Sequence, residues 1–126
     1  MSDLNRISGT IVDAACPIHS ALGPGLRELV YDVIPARELE KRGLQVERQR
    51  PGPIVFDGLR FDEGFRADLI VENCVVVELK SVEEIARVHS KQLLTYLRPL
   101  KCRLGLLIIF GAPVIKYGIR RIVNRL

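Results

Sequence analysis

The stretch FRADLIVENCVVVELK, residues 65–80, constrains the fold most, because it places ionisable side chains in an otherwise apolar strand pair. The apolar pattern predicts strands at 65–71 and 74–80, joined around Glu72-Asn73. The second strand ends in the charged triplet Glu78-Leu79-Lys80, and Asp68 precedes it in the first strand. Charged residues are rarely buried without a partner, so this stretch predicts either a structural ion-pair network or a chemical site.

The length of the connecting loop decides whether Asp68 and Glu78 converge. Directly opposed residues share a face of a sheet, and a shift of one residue moves a side chain to the other face. A two-residue turn at 72–73 pairs Asp68 with Val77 and separates the two acids. We predict instead a loop with an odd number of residues, or a β-bulge, that brings them together. Two adjacent carboxylates repel each other, and their hard oxygens suit Mg²⁺ or Mn²⁺.

The rest of the chain predicts one α+β (or α/β) domain over residues 1–126, with a mixed central sheet flanked by helices. Helical spacing covers residues 4–22, 26–42 and 83–98, and Ser81 with Glu84 predicts a capping box before the third helix. Pro17 predicts a kink or a break in the first helix, and Pro35 a bend in the second. Gly23-Pro24-Gly25 and Gly43 predict the ends of the first and second helices. Strands are predicted in LQVERQR, PIVFDGLRF, LGLLIIF and residues 118–123, with Pro51-Gly52-Pro53 between the first two and a hairpin turn at Asp57-Gly58.

Composition sets further bounds on location and partners. The chain has no apolar run approaching 18 residues, so we expect no contact with a membrane. Cys16, Cys74 and Cys102 form no CxxC pair and lie in apolar surroundings, which predicts reduced, buried thiols in a cytoplasmic protein. The net charge of +4, with arginines clustered in the strand-rich stretch and at the C-terminal end, is compatible with a polyanionic partner.

The order of the motifs resembles a known nuclease superfamily. Asp68 followed by Glu78-Leu79-Lys80 looks like the D…(D/E)xK signature of the PD-(D/E)xK nucleases. Upstream, GLRELVY (Gly25 to Tyr31) matches the motif of the GxxExxY family within that superfamily. The likeness continues through ELEKRGLQVERQ, GFRADLIVE, VVVELKSVE, HSKQLLTYL and LGLLIIFG, from about residue 7 to residue 123.

The resemblance implies a restriction-endonuclease-like core and a nuclease that hydrolyses phosphodiester bonds, with DNA as the expected substrate. It implies that Asp68, Glu78, the Leu79 carbonyl and Glu28 hold Mg²⁺ or Mn²⁺. Lys80 would then position the attacking water or stabilise charge on the phosphate. The residue pair Gln92 and Tyr96 matches a QxxxY element, which helps to organise the site and its DNA.

Several roles follow for the remaining candidates. We expect Arg66, Lys91 and Tyr96 to contact the nucleic acid, and the small size of the chain suggests a homodimer or a targeting partner protein. Tyr31 is interpreted as a core-packing residue, His19 as a packing or capping residue, and His89 as a structural rather than a catalytic residue. The alternative function is a non-catalytic module that binds nucleic acid or protein and retains the nuclease fold.

Overall fold

The computed structural model describes residues 2–125, apart from the side chain of Ser2. Two helices begin the chain, α1 at Ser2–Leu22 and α2 at Glu28–Lys41. Gly23 and Gly43 follow these helices with φ of 70° and 89°, a backbone conformation that glycine adopts without steric cost. The glycine stops were therefore predicted correctly. Of the kink or break predicted at Pro17, the break does not occur, because α1 continues through it. Helix α2 also continues through Pro35, where a bend and not a break was predicted.

Within residues 2–125, five strands form one sheet in the order β1-β2-β3-β4-β5. Their bounds are β1 Val46–Phe56, β2 Leu59–Val71, β3 Val75–Lys80, β4 Leu104–Ile109 and β5 Ile119–Val123. Only the β3–β4 pair is parallel, and the other three pairs are antiparallel. The mixed sheet predicted from sequence is confirmed, with a 3₁₀ turn at Ile115–Gly118 before the last strand.

The region before β3 is simpler than predicted. Instead of separate strands around Pro51-Gly52-Pro53, β1 runs through all three residues, and the pairing with β2 shifts between Gly52 and Ile54. Prolines are tolerated here because β1 is an edge strand, where a missing N–H breaks no central ladder. Gly52 is required by close approach, since the Phe65 ring occupies the space of a β-carbon. The predicted turn at Asp57-Gly58 is confirmed by positive φ at both residues.

The third helix, α3, spans Arg87–Leu100 and begins later than predicted. No capping box forms at Ser81 and Glu84. Instead, the His89 Nδ1 accepts a hydrogen bond of 3.1 Å from the Ala86 N–H, so His89 caps the helix, which agrees with its interpretation as a structural residue. The segment from Ser81 to Ala86 is left free of helix, which allows Ser81 to bond elsewhere.

The sheet is covered on both faces. One core, which contains Tyr31, Leu39, Val77 and Leu106, lies between the sheet and helices α1 and α2. The other, which contains Val76, Leu93, Leu97 and Leu107, lies between the sheet and α3. The architecture is that of the restriction-endonuclease-like α+β fold. None of the helices within residues 2–125 is both long and apolar enough to cross a bilayer.

The packing residues and cysteines were predicted with mixed success. Tyr31 is fully buried against Phe110, and His19 Nε2 lies 2.7 Å from the Ala112 carbonyl oxygen, so both are structural as expected. The cysteines are free thiols, but only Cys102 is buried, and Cys16 is exposed. The expectation of three buried thiols was wrong because Cys16 lies on the solvent side of α1.

Candidate active site at the end of strand β3

The loop between β2 and β3 has the odd length that the sequence required. Val71 pairs with Val75, which leaves Glu72, Asn73 and Cys74 in the connection. Glu72 and Asn73 both adopt a left-handed backbone, with φ of 52° and 55°. One step beyond the last pair, Leu69 with Val77, the same register sets Asp68 opposite Glu78. The prediction that an irregular register brings these acids together is confirmed.

The two strands separate where the acids meet. The ladder between β2 and β3 ends at Leu69, and the Leu79 N–H donates to Asp68 Oδ2 at 2.9 Å instead of to a strand carbonyl. In return, the Asp68 N–H donates to Glu78 Oε2 at 3.4 Å. A strand residue directs its N–H and C=O to the same side, so the Leu79 carbonyl also faces this gap. The gap therefore presents two carboxylates and one backbone carbonyl.

Glu78 is an unfavourable residue for a buried strand. It is only 3% exposed. Burial, hydrogen bonding with Asp68 and the charge of Asp68 raise the pKa of Glu78 to about 10, while the positive charge of Lys80 partly opposes the change. A carboxyl group with so high a pKa holds a proton at neutral pH. A divalent cation at this position would replace that proton and neutralise both acids.

Lys80 ends β3 on the same face as Glu78, as strand alternation predicted. Its backbone is fixed by β4, because the Phe110 N–H donates to the Lys80 carbonyl at 2.8 Å. The side chain is half-buried, and among the described residues none forms an ion pair or hydrogen bond with its ammonium group. The amine is thus held beside the acids and remains available to a ligand.

Glu28 reaches the site from the first turn of α2. Its Oε2 accepts hydrogen bonds from the N–H and Oγ of Ser81, at 3.3 and 3.4 Å, directly after Lys80. A cavity of about 330 Å³ joins this helix to the strand gap. It is lined by Glu28, Leu29, Asp32, Gln49, Asp68 and Leu79. The structure therefore places Glu28 and Asp68 on one cavity, with the carboxylate of Glu28 bonded to Ser81.

The donor set fits a hard divalent cation through two acids rather than three. Within the described part of the chain, no group of three His, Cys, Asp or Glu side chains is arranged to hold a metal ion. Mg²⁺ is commonly held by one or two carboxylates and keeps several water ligands. The pair formed by Asp68 and Glu78, with the Leu79 carbonyl beside it, meets that requirement.

Helix α3 covers the site from the opposite face of the sheet. The Tyr96 ring stacks on Phe65 at 4.2 Å between centroids, which fixes its position. Burial raises the pKa of Tyr96, and the charges of Glu78 and Asp68 add to this, so the phenol lies within the electrostatic field of the acids. Gln92 lies one turn earlier on α3 and is half-buried.

The two basic residues predicted to contact nucleic acid lie on the surface. Lys91 is exposed on α3, next to Gln92. Arg66 is exposed on β2, and its guanidinium forms an ion pair of 2.7 Å with Glu63. Such an exposed pair is worth about 0–1 kcal/mol, so a phosphate could replace Glu63 at little cost.

Two residues around the site were missed by the sequence reasoning. Asp32 is buried, and it could have been found, because it follows Glu28 by one helical turn and shares its face. Gln49 lies in β1 opposite the acids and has a positive φ of 52°. The polar, alternating sequence around Gln49 predicts neither its place beside the acids nor its positive φ.

Comparison with known proteins identifies one family. The sequence profile of the PD-(D/E)XK nuclease superfamily matches residues 5–122. No curated protein and no solved structure matches the chain significantly. The profile covers all the elements that form the site, from α1 to β5.

Proposed function

Because the chain belongs to the PD-(D/E)XK nuclease superfamily, we propose that it is a nuclease that hydrolyses phosphodiester bonds of DNA with Mg²⁺ or Mn²⁺. The convergence of Asp68 and Glu78 at the end of β3, with Lys80 alongside, is the observation that carries this proposal. The intact motif GLRELVY supports a finer assignment to the GxxExxY family.

In this proposal, Asp68, Glu78 and the Leu79 carbonyl would hold the cation, and Glu28, whose carboxylate is bonded to Ser81, would complete the set. When bound, the cation polarises the phosphoryl oxygen and lowers the pKa of a coordinated water. The Asp68 carboxylate is oriented by the Leu79 N–H, which donates to Oδ2, while Oδ1 lies 3.5 Å from the side-chain nitrogen of Gln49. Glu78 supplies a second oxygen once its proton is released.

Lys80 acts on the reacting groups rather than on the fold. Its ammonium group, free of ion pairs with described residues, is placed to orient the attacking water and to stabilise negative charge on the phosphate. Gln92 and Tyr96 on α3 organise the opposite wall of the site. Arg66, Lys91 and Tyr96 contact the DNA, with the two basic residues binding phosphates without reading sequence.

The proposed setting of the protein is the cytoplasm, which the three free cysteines support. A protein contact, with a second copy or with a targeting partner, is supported by the exposed tip of the β1–β2 hairpin. Apolar side chains are exposed there, and Phe56 reaches 78%. The exposed members are Val55, Phe56, Leu59 and Phe61. Light scattering of wild type and Phe56→Ser would reveal a loss of mass in the variant if the tip forms a dimer.

The nuclease proposal is tested by nicking of supercoiled plasmid in Mg²⁺, Mn²⁺ and EDTA. We expect cation-dependent nicking by wild type and background rates for Asp68→Ala and Lys80→Ala. Glu40→Ala and Lys41→Ala are matched controls, because they remove exposed residues of the same charge from α2, away from the cavity. Nicking by Lys80→Ala at the wild-type rate would contradict the assigned mechanism. DNA binding without any cleavage by wild type would favour the non-catalytic module.

A further inference from the structure

Gln49 has a backbone conformation that a strand residue normally avoids. It lies in β1 between two regular pairs, Arg48 with Leu69 and Arg50 with Ala67, which sets it opposite Asp68. Its φ of 52° is left-handed, a region disfavoured for any residue with a β-carbon. Such a conformation persists only where the surroundings impose it, and it is a reason to look for a function.

The side chain of Gln49 connects two carboxylates. Its Nε2 donates to Asp32 Oδ2 at 2.9 Å and lies 3.5 Å from Asp68 Oδ1, a longer contact. Both neighbours are acceptors, so the amide must direct its NH₂ group toward them. Asp68 is thereby held at both oxygens, by Gln49 at Oδ1 and by the Leu79 N–H at Oδ2.

Asp32 anchors this arrangement from α2. It is only 6% exposed, and a buried carboxylate is retained where it is paired. Two nitrogens of the Arg48 guanidinium, Nε and Nη2, donate to its two oxygens, each at 3.2 Å. With its charge balanced by Arg48, Asp32 fixes the amide of Gln49 and makes no direct bond to Asp68. The result is a chain of hydrogen bonds from Arg48 through Asp32 and Gln49 to Asp68.

We infer that Gln49 and Asp32 are positioning residues that set the orientation of Asp68 for cation binding. The inference rests on the metal-binding part of the proposed function. Groups that orient a metal ligand without touching the ion commonly change metal affinity by about 10–100-fold when they are removed. The left-handed backbone of Gln49 accompanies an amide that points toward Asp32 and Asp68, which line the same cavity.

The test compares Mn²⁺ affinity with thermal stability in Gln49→Gly. Glycine accepts the positive φ and lacks the amide, so we expect a melting temperature equal to or above that of wild type. The Mn²⁺ affinity, measured by calorimetric titration, should fall by about tenfold or more. Gln45→Ala is the matched control, since Gln45 is an exposed glutamine directly before β1. This variant should bind Mn²⁺ as wild type does.

Two further variants keep the test decisive. Gln49→Asn tolerates a left-handed backbone but has a shorter amide, and Asp32→Ala removes the oxygen that accepts from Gln49, so both should also bind Mn²⁺ about tenfold less tightly. Wild-type affinity in Gln49→Gly, or parallel losses of affinity and stability in all three variants, would overturn the inference. A wild-type protein that binds Mn²⁺ but cleaves no DNA would refute the nuclease proposal alone. Absence of Mn²⁺ binding by wild type would refute both.

Discussion

Strand β3 has two edges that differ in kind. Toward β4, it forms six consecutive parallel pairs, from Val75 with Leu104 to Lys80 with Ile109, and every residue of β4 is buried. Toward β2, it forms only three pairs before the strands separate at Asp68. Beyond that point, side-chain carboxylates take the place of strand carbonyls as acceptors.

The edge toward β4 stabilises the fold, whereas the edge toward β2 supplies the oxygen atoms of the candidate site. The β4 edge is apolar on both faces and contributes through burial, at roughly 25 cal/mol per Å² of apolar surface. The β2 edge encloses Glu78, whose raised pKa shows that its ionised form is unfavourable there. An interrupted ladder leaves backbone and carboxylate oxygens that a ligand can use, whereas a complete ladder leaves none.

The largest expected effect lies on the β4 edge. Leu104 is buried in the core under α1 and α2, so Leu104→Ala should lower the free energy of unfolding by about 2–5 kcal/mol. Urea denaturation measures this change. The folded variant should bind Mn²⁺ with wild-type affinity, because Leu104 pairs with Val75 at the start of β3, three residues before Glu78. A selective loss of Mn²⁺ affinity at unchanged stability would show that the two edges are not separable.

An effect of intermediate size on folding stability is expected from the protonation of Glu78. Its pKa rises from 4.5 to about 10 on folding, so between these pH values the folded chain binds the proton that the unfolded chain has released. The associated stability is therefore complete below pH 4.5 and is lost as the pH rises toward 10, by at most about 1.4 kcal/mol per pH unit.

Urea denaturation at pH 6, 7.5 and 9 without divalent cations would reveal this loss as a falling stability of wild type. Glu78→Gln cannot ionise at this position and should have a shallower pH dependence over the same range. Saturating Mn²⁺ should also flatten the wild-type dependence, because the cation takes the place of the proton. Equal slopes for wild type and Glu78→Gln would contradict the assignment of the buried proton to this edge.

The smallest effect is expected on the exposed surface of α3. Lys91→Ala should weaken DNA binding several-fold and lower the slope of log affinity against log salt by about one, as removal of a single phosphate contact does. Fluorescence anisotropy in EDTA measures binding without cleavage. Lys41→Ala should leave both quantities unchanged, and an equal effect of the two variants would show only a general loss of charge.

The sequence predicted the part of the fold that local pattern determines. The apolar run of β4, the glycine after each of the first two helices and the Asp57-Gly58 turn were all found, since each depends on residues close in sequence. The convergence of Asp68 and Glu78 was predicted on the condition of an odd loop or a bulge, and the three-residue connection between β2 and β3 meets that condition.

The remaining features depend on contacts between distant segments. Continuation of β1 through Pro51 required knowing that it is an edge strand. Ser81 donates to Glu28 on another helix instead of capping α3, a contact that the local sequence does not predict. The left-handed backbone of Gln49 accompanies contacts with α2 and β2 that are equally distant in sequence, whereas the spacing of Asp32 from Glu28 does give a local signal.

The account predicts a cation at the interrupted edge of β3, and a crystal of this protein soaked in Mn²⁺ tests that prediction most directly. Anomalous scattering should show a peak within bonding distance, about 2.0–2.3 Å, of oxygens from Asp68, Glu78 and the Leu79 carbonyl. A Mn²⁺ peak elsewhere with these oxygens unchanged, or no peak in a crystal soaked at saturating concentration, would contradict it.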